Sequence, residues 1–216
     1  EQSRAALSWL ARLHGTYWGP LADAAVERGL QPQGTFWYLD TRPEELANMP
    51  SRGWEGRLKL AAKALDLRLK ADPMQTICHG DPKGENMLFA EKGGELEALV
   101  YDFQYLGKAP PTKDLAYLFT CASSSPELEQ RLLRFYHSEL SKVLEGRHVP
   151  PTFEELDASL ALSFCDLARW MSGWGGWWGE NIVYKTQEVL FRLDGGTKLA
   201  SEEAYIDAMR REFPVD

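Results

Sequence analysis

Apolar side chains recur at helical spacing near the start of the chain. Leu7, Leu10, Leu13, Tyr17 and Trp18 fall three or four residues apart or adjacent on one stripe, which predicts a helix over Ala6–Trp18 that Gly19-Pro20 stops. Pro32, Gly34, Pro43 and Pro50 punctuate the stretch from Gln31 to Gly53, which reads as irregular connection. Helical spacing resumes at Trp54, Leu58, Ala61, Leu65 and Leu69 and ends at Asp72-Pro73.

The pattern then changes period. Thr76–Cys78, Met87–Phe89 and Leu96–Phe103 are short apolar or β-prone runs, broken by Gly80, Gly84 and Gly93-Gly94, and predict small strands around a loop. Helices return over Asp114–Cys121 and Pro126–Leu144, the latter with Ser125 as N-cap and Pro126 in the first turn. A longer helix is predicted over Phe153–Ser172, opened by the capping-box pair Thr152 and Glu155 and stopped by Gly173. Two more follow, from about Ile182 to Leu193 and after Ser201. The expected architecture is a mostly helical domain around a small β-rich insert, with no internal repeat.

Composition narrows the function. The 216 residues are 44% hydrophobic and 26% charged, ordinary values for a soluble globular chain. A net charge of -8 with no basic stripe argues against nucleic acid as a partner, so an anionic substrate must be held by a metal or a few placed cations. Cys78, Cys121 and Cys165 are too few and too widely spaced for a disulfide framework or a paired-cysteine zinc site, and read as reduced thiols of a cytoplasmic protein, with Cys78 and Cys165 as packing residues. His14, on the first predicted helix, reads as a core or surface histidine rather than a ligand. No apolar run reaches membrane length and the opening has no signal-peptide core.

Chemistry concentrates in Cys78-His79-Gly80-Asp81-Pro82-Lys83-Gly84-Glu85-Asn86, followed sixteen residues after Asn86 by Asp102-Phe103-Gln104. Phosphoryl transfer needs a carboxylate to orient and deprotonate the attacking hydroxyl, and oxygen ligands for Mg²⁺ on the nucleotide phosphates. An Asp five residues before an Asn on a loop, with a second Asp on a returning strand, supplies that set.

These motifs resemble the aminoglycoside phosphotransferase and choline kinase-like superfamily, and the Asp-Phe-Gln variant is most similar to its ecdysteroid kinase-like branch. The likeness extends to Gly107–Leu118 and to the opening Leu7–His14, and spans residues 5–121; residues 122–216 agree in helical character, as an acceptor-side part of one domain over 1–216. The resemblance implies the helical C-lobe of a protein-kinase-like α+β fold, and ATP and Mg²⁺ as cofactors. It implies Asp81 as catalytic base, Asn86 and Asp102 as metal ligands, and His79 as a structural member of the loop. Lys83 becomes a γ-phosphate contact, and Asp114 a brace of the loop at a helix start. The later helix, with Asp166, Arg169, Trp170 and Trp174 and the neighbouring Trp177 and Trp178, is the expected acceptor pocket, where clustered Trp can hold an apolar or cationic substrate.

Complete kinases of this class also carry a glycine-rich loop and a strand lysine, and neither is recognisable before Asp81. With no Met at residue 1, this leads to the expectation of a C-lobe without its N-lobe, which an N-lobe from elsewhere or self-association through the uncovered face would complete. The leading reading is a small-molecule kinase acting on an alcohol; the alternative is a truncated or inactive kinase-like binding module. A protein kinase is disfavoured by Gln104 in place of Gly and the lack of a following Ala-Pro-Glu. A metallohydrolase built on His79, Asp81 and Asp102 has a thin ligand set.

Overall fold

The computed structural model describes residues 1–122, 125–177 and 181–215. Its elements are helices α1 (Gln2–Thr16), α2 (Pro20–Glu27), α3 (Pro43–Asn48) and α4 (Gly53–Lys70); strands β1 (Thr76–Cys78), β2 (Met87–Lys92), β3 (Glu95–Val100) and β4 (Gly107–Ala109); and helices α5 (Thr112–Cys121), α6 (Pro126–Leu144), α7 (Phe153–Trp174), α8 (Asn181–Asp194) and α9 (Glu202–Glu212). The result is an α+β fold in which helices dominate. Trp178 and Gly179, part of the Gly/Trp run, lie outside the described residues. No helix among the described residues is long and apolar enough to cross a membrane.

Helix α7 is the central post. From Leu156 to Ser172 nearly every residue is buried, because α3, α4, α5, α6 and α8 surround it. Its start is fixed by a reciprocal cap: the Glu155 N–H donates to Thr152 Oγ1 at 3.2 Å and the Thr152 N–H donates to Glu155 Oε2 at 2.7 Å. The predicted stop at Gly173 is wrong. The helix runs through it to Trp174 and ends at Gly175, whose φ of 82° is the left-handed cap. Gly173 serves a close approach instead, since a Cβ there would lie 1.9 Å from the Glu45 carbonyl oxygen of α3. Composition alone does not tell a stop glycine from a packing glycine.

Other expectations also shift. Helix α1 ends at Thr16, short of the expected Trp18, and Pro20 opens α2 as its first-turn proline with Gly19, at φ 59°, as the N-cap. The connection read as irregular holds α3 and a 3-10 turn at Leu39–Thr41, and its start is stitched to β4: the Lys108 N–H donates to Gln31 O (3.1 Å) and the Gly34 N–H to Lys108 O (2.8 Å). The strands form two separate antiparallel pairs, β1 with β4 and β2 with β3. Strand β4 escapes sequence reading because Gly-Lys-Ala has none of the β-branched or aromatic residues that mark a strand. The strand expected to continue to Phe103 stops at Val100, since Asp102 turns to φ 65°.

Candidate active site

The loop from His79 to Asn86 connects β1 to β2, and the hairpin register decides what returns beside it. Met87 pairs with Val100, so Asn86 faces Tyr101, whose N–H donates to Asn86 O at 3.1 Å. Asp102 is therefore the next residue after the partner of Asn86. Its left-handed backbone is uncommon for a non-glycine residue, and strain of this kind gathers where a side chain must be aimed.

Asp81 is buried, and its two oxygens differ. Oδ2 receives the Asn86 amide at 3.0 Å and the Lys83 ammonium at 2.9 Å, whereas Oδ1 has no hydrogen-bond partner among the described residues. Asn86 also donates to Asp81 O at 3.0 Å. With its NH₂ turned to Asp81, Asn86 offers its carbonyl oxygen to the other side. The hydrogen bond that Lys83 donates to Asp81 raises the Lys83 ammonium above its ordinary value; burial opposes this, and the charges of Asp81, Glu85 and Asp102 add to it. Asp102 itself is exposed and accepts the Gln104 amide at 3.3 Å. Asn86 and Asp102 are thus hard oxygen donors on neighbouring strand ends, a donor set that suits Mg²⁺.

The loop is held from beneath. Asp114, at the start of α5, accepts the His79 N–H at 2.7 Å on Oδ2 and the Gly80 N–H at 2.9 Å on Oδ1. The His14 Nε2 lies 3.1 Å from Oδ2. A carboxylate only accepts, so Nε2 carries the proton, and the Tyr136 hydroxyl donates to Nδ1 at 2.7 Å. Burial pushes the Tyr136 phenol well up, reinforced by Cys78 and Asp114, and keeps it a donor. His14 is thus more than packing, although a lone His on an apolar helix face gives no sign of it in sequence. Gly80 is required: at φ 90°, a Cβ would meet Tyr105 O at 2.3 Å.

His79 has both ring nitrogens engaged. Nδ1 accepts the Asp81 N–H at 3.3 Å and Nε2 donates to Tyr101 O at 3.0 Å, with Trp9 and Phe103 packed against the ring. It cannot also ligate a metal, which removes the hydrolase reading's ligand set. Beside the loop a groove of about 800 Å³ runs past Lys83, Glu85, Met87, Phe89, Tyr117 and Leu118. Tyr117 was not singled out in sequence; burial first, then the Cys121 and Asp81 groups beside it, push its phenol up.

The expected acceptor residues sit apart from this loop, inside the core. Asp166 binds Lys113 at 2.9 Å through Oδ2 and Arg169 at 2.8 Å through Oδ1, and Arg169 donates to Trp37 O at 2.6 Å. Burial alone would raise the Asp166 carboxyl, but the Arg169 and Lys113 charges outweigh it and hold the carboxyl below its usual range. Trp170 is buried and stacks on Trp174, which is half exposed, with centroids 5.3 Å apart. Asp166 and Arg169 therefore form a structural ion cluster, and only Trp174 of the four presents substantial surface.

No curated protein matches the chain. One solved structure, a choline/ethanolamine kinase family protein from Mesorhizobium loti, aligns over 97% of this chain and 67% of its own at 17% identity, with a TM-score of 0.46. The model of the phosphotransferase enzyme family matches residues 1–148, a span that contains the His79–Asn86 loop, Asp102 and Asp114 and stops short of α7. Over half of the sequence matches that model, and the chain belongs to this phosphotransferase family, within the aminoglycoside phosphotransferase and choline kinase-like superfamily.

Proposed function

We propose that this chain carries the phosphate half of a small-molecule kinase site, which moves the γ-phosphate of ATP to an alcohol with Mg²⁺ as cofactor. One observation carries the reading: a buried carboxylate, Asp81, with one oxygen fixed by Asn86 and Lys83 and the other unpartnered. Buried polar atoms are nearly always satisfied, so an unpartnered oxygen on a braced loop is suited to an incoming hydroxyl.

Asp81 Oδ1 accepts the acceptor's O–H, aligns the oxygen for in-line attack and takes its proton. Lys83, on the rim of the groove, holds Asp81 Oδ2 and is placed to offer its charge to the transferring phosphate while Oδ1 stays open for the hydroxyl. Asn86 Oδ1 and Asp102 would hold Mg²⁺, which would supply charge neutralisation on the phosphates. Met87, Phe89 and Leu118 give the groove an apolar floor against which a nucleotide base lies. Asp114 and His14 keep the loop in register without touching substrate. The free thiols agree with a reducing, cytoplasmic setting.

The test is ADP release and phosphorylated product with MgATP and a panel of alcohols. Turnover that requires Mg²⁺ and falls with Asp81→Asn supports the reading; turnover indifferent to Asp81 sinks it. Nucleotide affinity is measured separately by calorimetry. Because only the phosphate half is recognised here, the 216 residues alone are expected to bind MgATP no tighter than about 1 mM, or roughly 4 kcal/mol.

A further inference from the structure

We infer that the acceptor alcohol is an oxygen-rich compound without a cationic group, a neutral polyol or a hydroxy acid, recognised on the wall formed by residues 33–42. The inference rests on the phosphotransfer reading above for its reaction, but on different residues for its ligand. That wall lies against the chain just past Asp102. The Thr35 N–H donates to Tyr105 O at 3.3 Å, and the Phe36 ring packs on Tyr105 and on Tyr117, with centroids 5.4 and 5.5 Å apart; Tyr117 in turn adjoins Asp81.

Thr35 has two faults at once. Its φ of 75° is an outlier for a β-branched residue, and its hydroxyl is buried without a partner among the described residues. Strain and an orphaned polar atom at one residue are what a ligand-binding segment retains. Beside it opens a cavity of about 290 Å³, lined by Thr35, Phe36, Tyr38, Arg42, Gln104 and Tyr105, with two more glutamines and a threonine at its edge. Gln104 joins this cavity to the site already described, because its amide donates to Asp102.

Charge selects the ligand. No carboxylate lines the cavity, and Arg42 is its one charged residue. Of the nearby acids, Asp40 is committed to Gln33 and Lys70, Glu45 to Arg42, and Asp166 to Lys113 and Arg169, while Asp102, beyond Gln104, belongs to the proposed metal site. Two aromatic faces of this wall already carry one of the protein's own cations. Arg42 lies over Phe36 at 5.7 Å and Lys113 over Trp37 at 5.7 Å. Behind the wall, Arg169 Nη1 and Trp37 Nε1 are donors without partners among the described residues. The buried set Lys113, Arg169 and Asp166 sums to one positive charge, two cations against one anion. A cationic ligand meets Arg42 and no carboxylate in the cavity lining, whereas hydroxyl and carboxylate oxygens meet donors, and the carbon face of a polyol meets Phe36, Tyr38 and Tyr105.

The experiment is saturation-transfer NMR on the full chain without nucleotide, using methyl β-glucoside, glycerate, choline and kanamycin, followed by ADP release with the same four. Binding of the first two and not the last two is expected. It should weaken about tenfold in Thr35→Val, which keeps the branched shape and loses one hydrogen bond. Thr35→Gly, which relaxes the backbone, should lose as much and covers the case where the Val variant does not fold. Preference for either amine, binding of none of the four, or indifference to both Thr35 variants would overturn the inference. Oxygen ligands that bind yet accept no phosphate would remove the phosphotransfer reading and leave the recognition standing; transfer to the amines alone would do the reverse.

Discussion

Two buried aspartates, Asp81 and Asp166, each lie against a lysine and differ in one respect. Asp166 has both oxygens held, by Lys113 and by Arg169, on a helix enclosed on all sides. Asp81 has one oxygen held and the other bare, on a loop whose lysine partner is a third exposed. On the proposed reading, saturation separates an anion that stabilises a core from one available for chemistry. Burial alone would have ranked them equal.

The strongest way to break this comparison is Asp166→Asn. It leaves Lys113 and Arg169 buried without their anion and should cost about 3–5 kcal/mol of unfolding free energy by urea titration. The pH dependence follows from sign: a carboxyl held low when folded contributes stability that is full above its unfolded value near 4 and lost as pH falls through the lower folded value. Wild type should therefore weaken steeply below about pH 4, and the variant should start weaker and fall less.

Asp81→Asn should do the opposite. Turnover is expected to fall about a hundredfold or more, equivalent to about 2.7 kcal/mol in the barrier, with nucleotide affinity nearly unchanged and unfolding unaffected or improved. A large loss of stability with normal turnover would make Asp81 a second Asp166. Asp114→Asn sits between the two: its new amide cannot accept from both loop N–H groups, so about 1–3 kcal/mol of stability and part of the turnover should go together. Amide exchange at Gly80 would report the loosening directly. The smallest change sets the scale. Thr152→Ala removes the cap of α7 far from the loop, should cost about 1 kcal/mol, and should leave turnover per folded molecule intact.

Much of the candidate site was legible because its proposed chemistry is local in sequence. His79, Asp81, Lys83 and Asn86 occupy one loop, where hydrogen bonds and an ion pair join them. Asp102 was legible as a motif but not as a strained turn, since nothing in Asp-Phe-Gln announces a positive φ. His14 and Tyr136 were illegible, because a bond between α1, α6 and α5 joins residues 100 or more positions apart and leaves no periodic trace. The Trp-rich segment misled in the other direction: Asp166 and Arg169 one turn apart look like a recognition pair, and only their surroundings reveal a closed ion cluster.

The sequence by itself determined where the long helices run, their N-caps, and the order of the loop's chemical groups, because these depend on neighbours within a few turns. Tertiary structure alone decided which glycine stops α7 and which lets α3 approach it, where the three-residue strands pair, and which of several buried carboxylates keeps a bare oxygen. Those outcomes depend on what a group meets across the fold. Spacing along the chain fixes which atoms are available, and packing fixes which of them remain unpartnered.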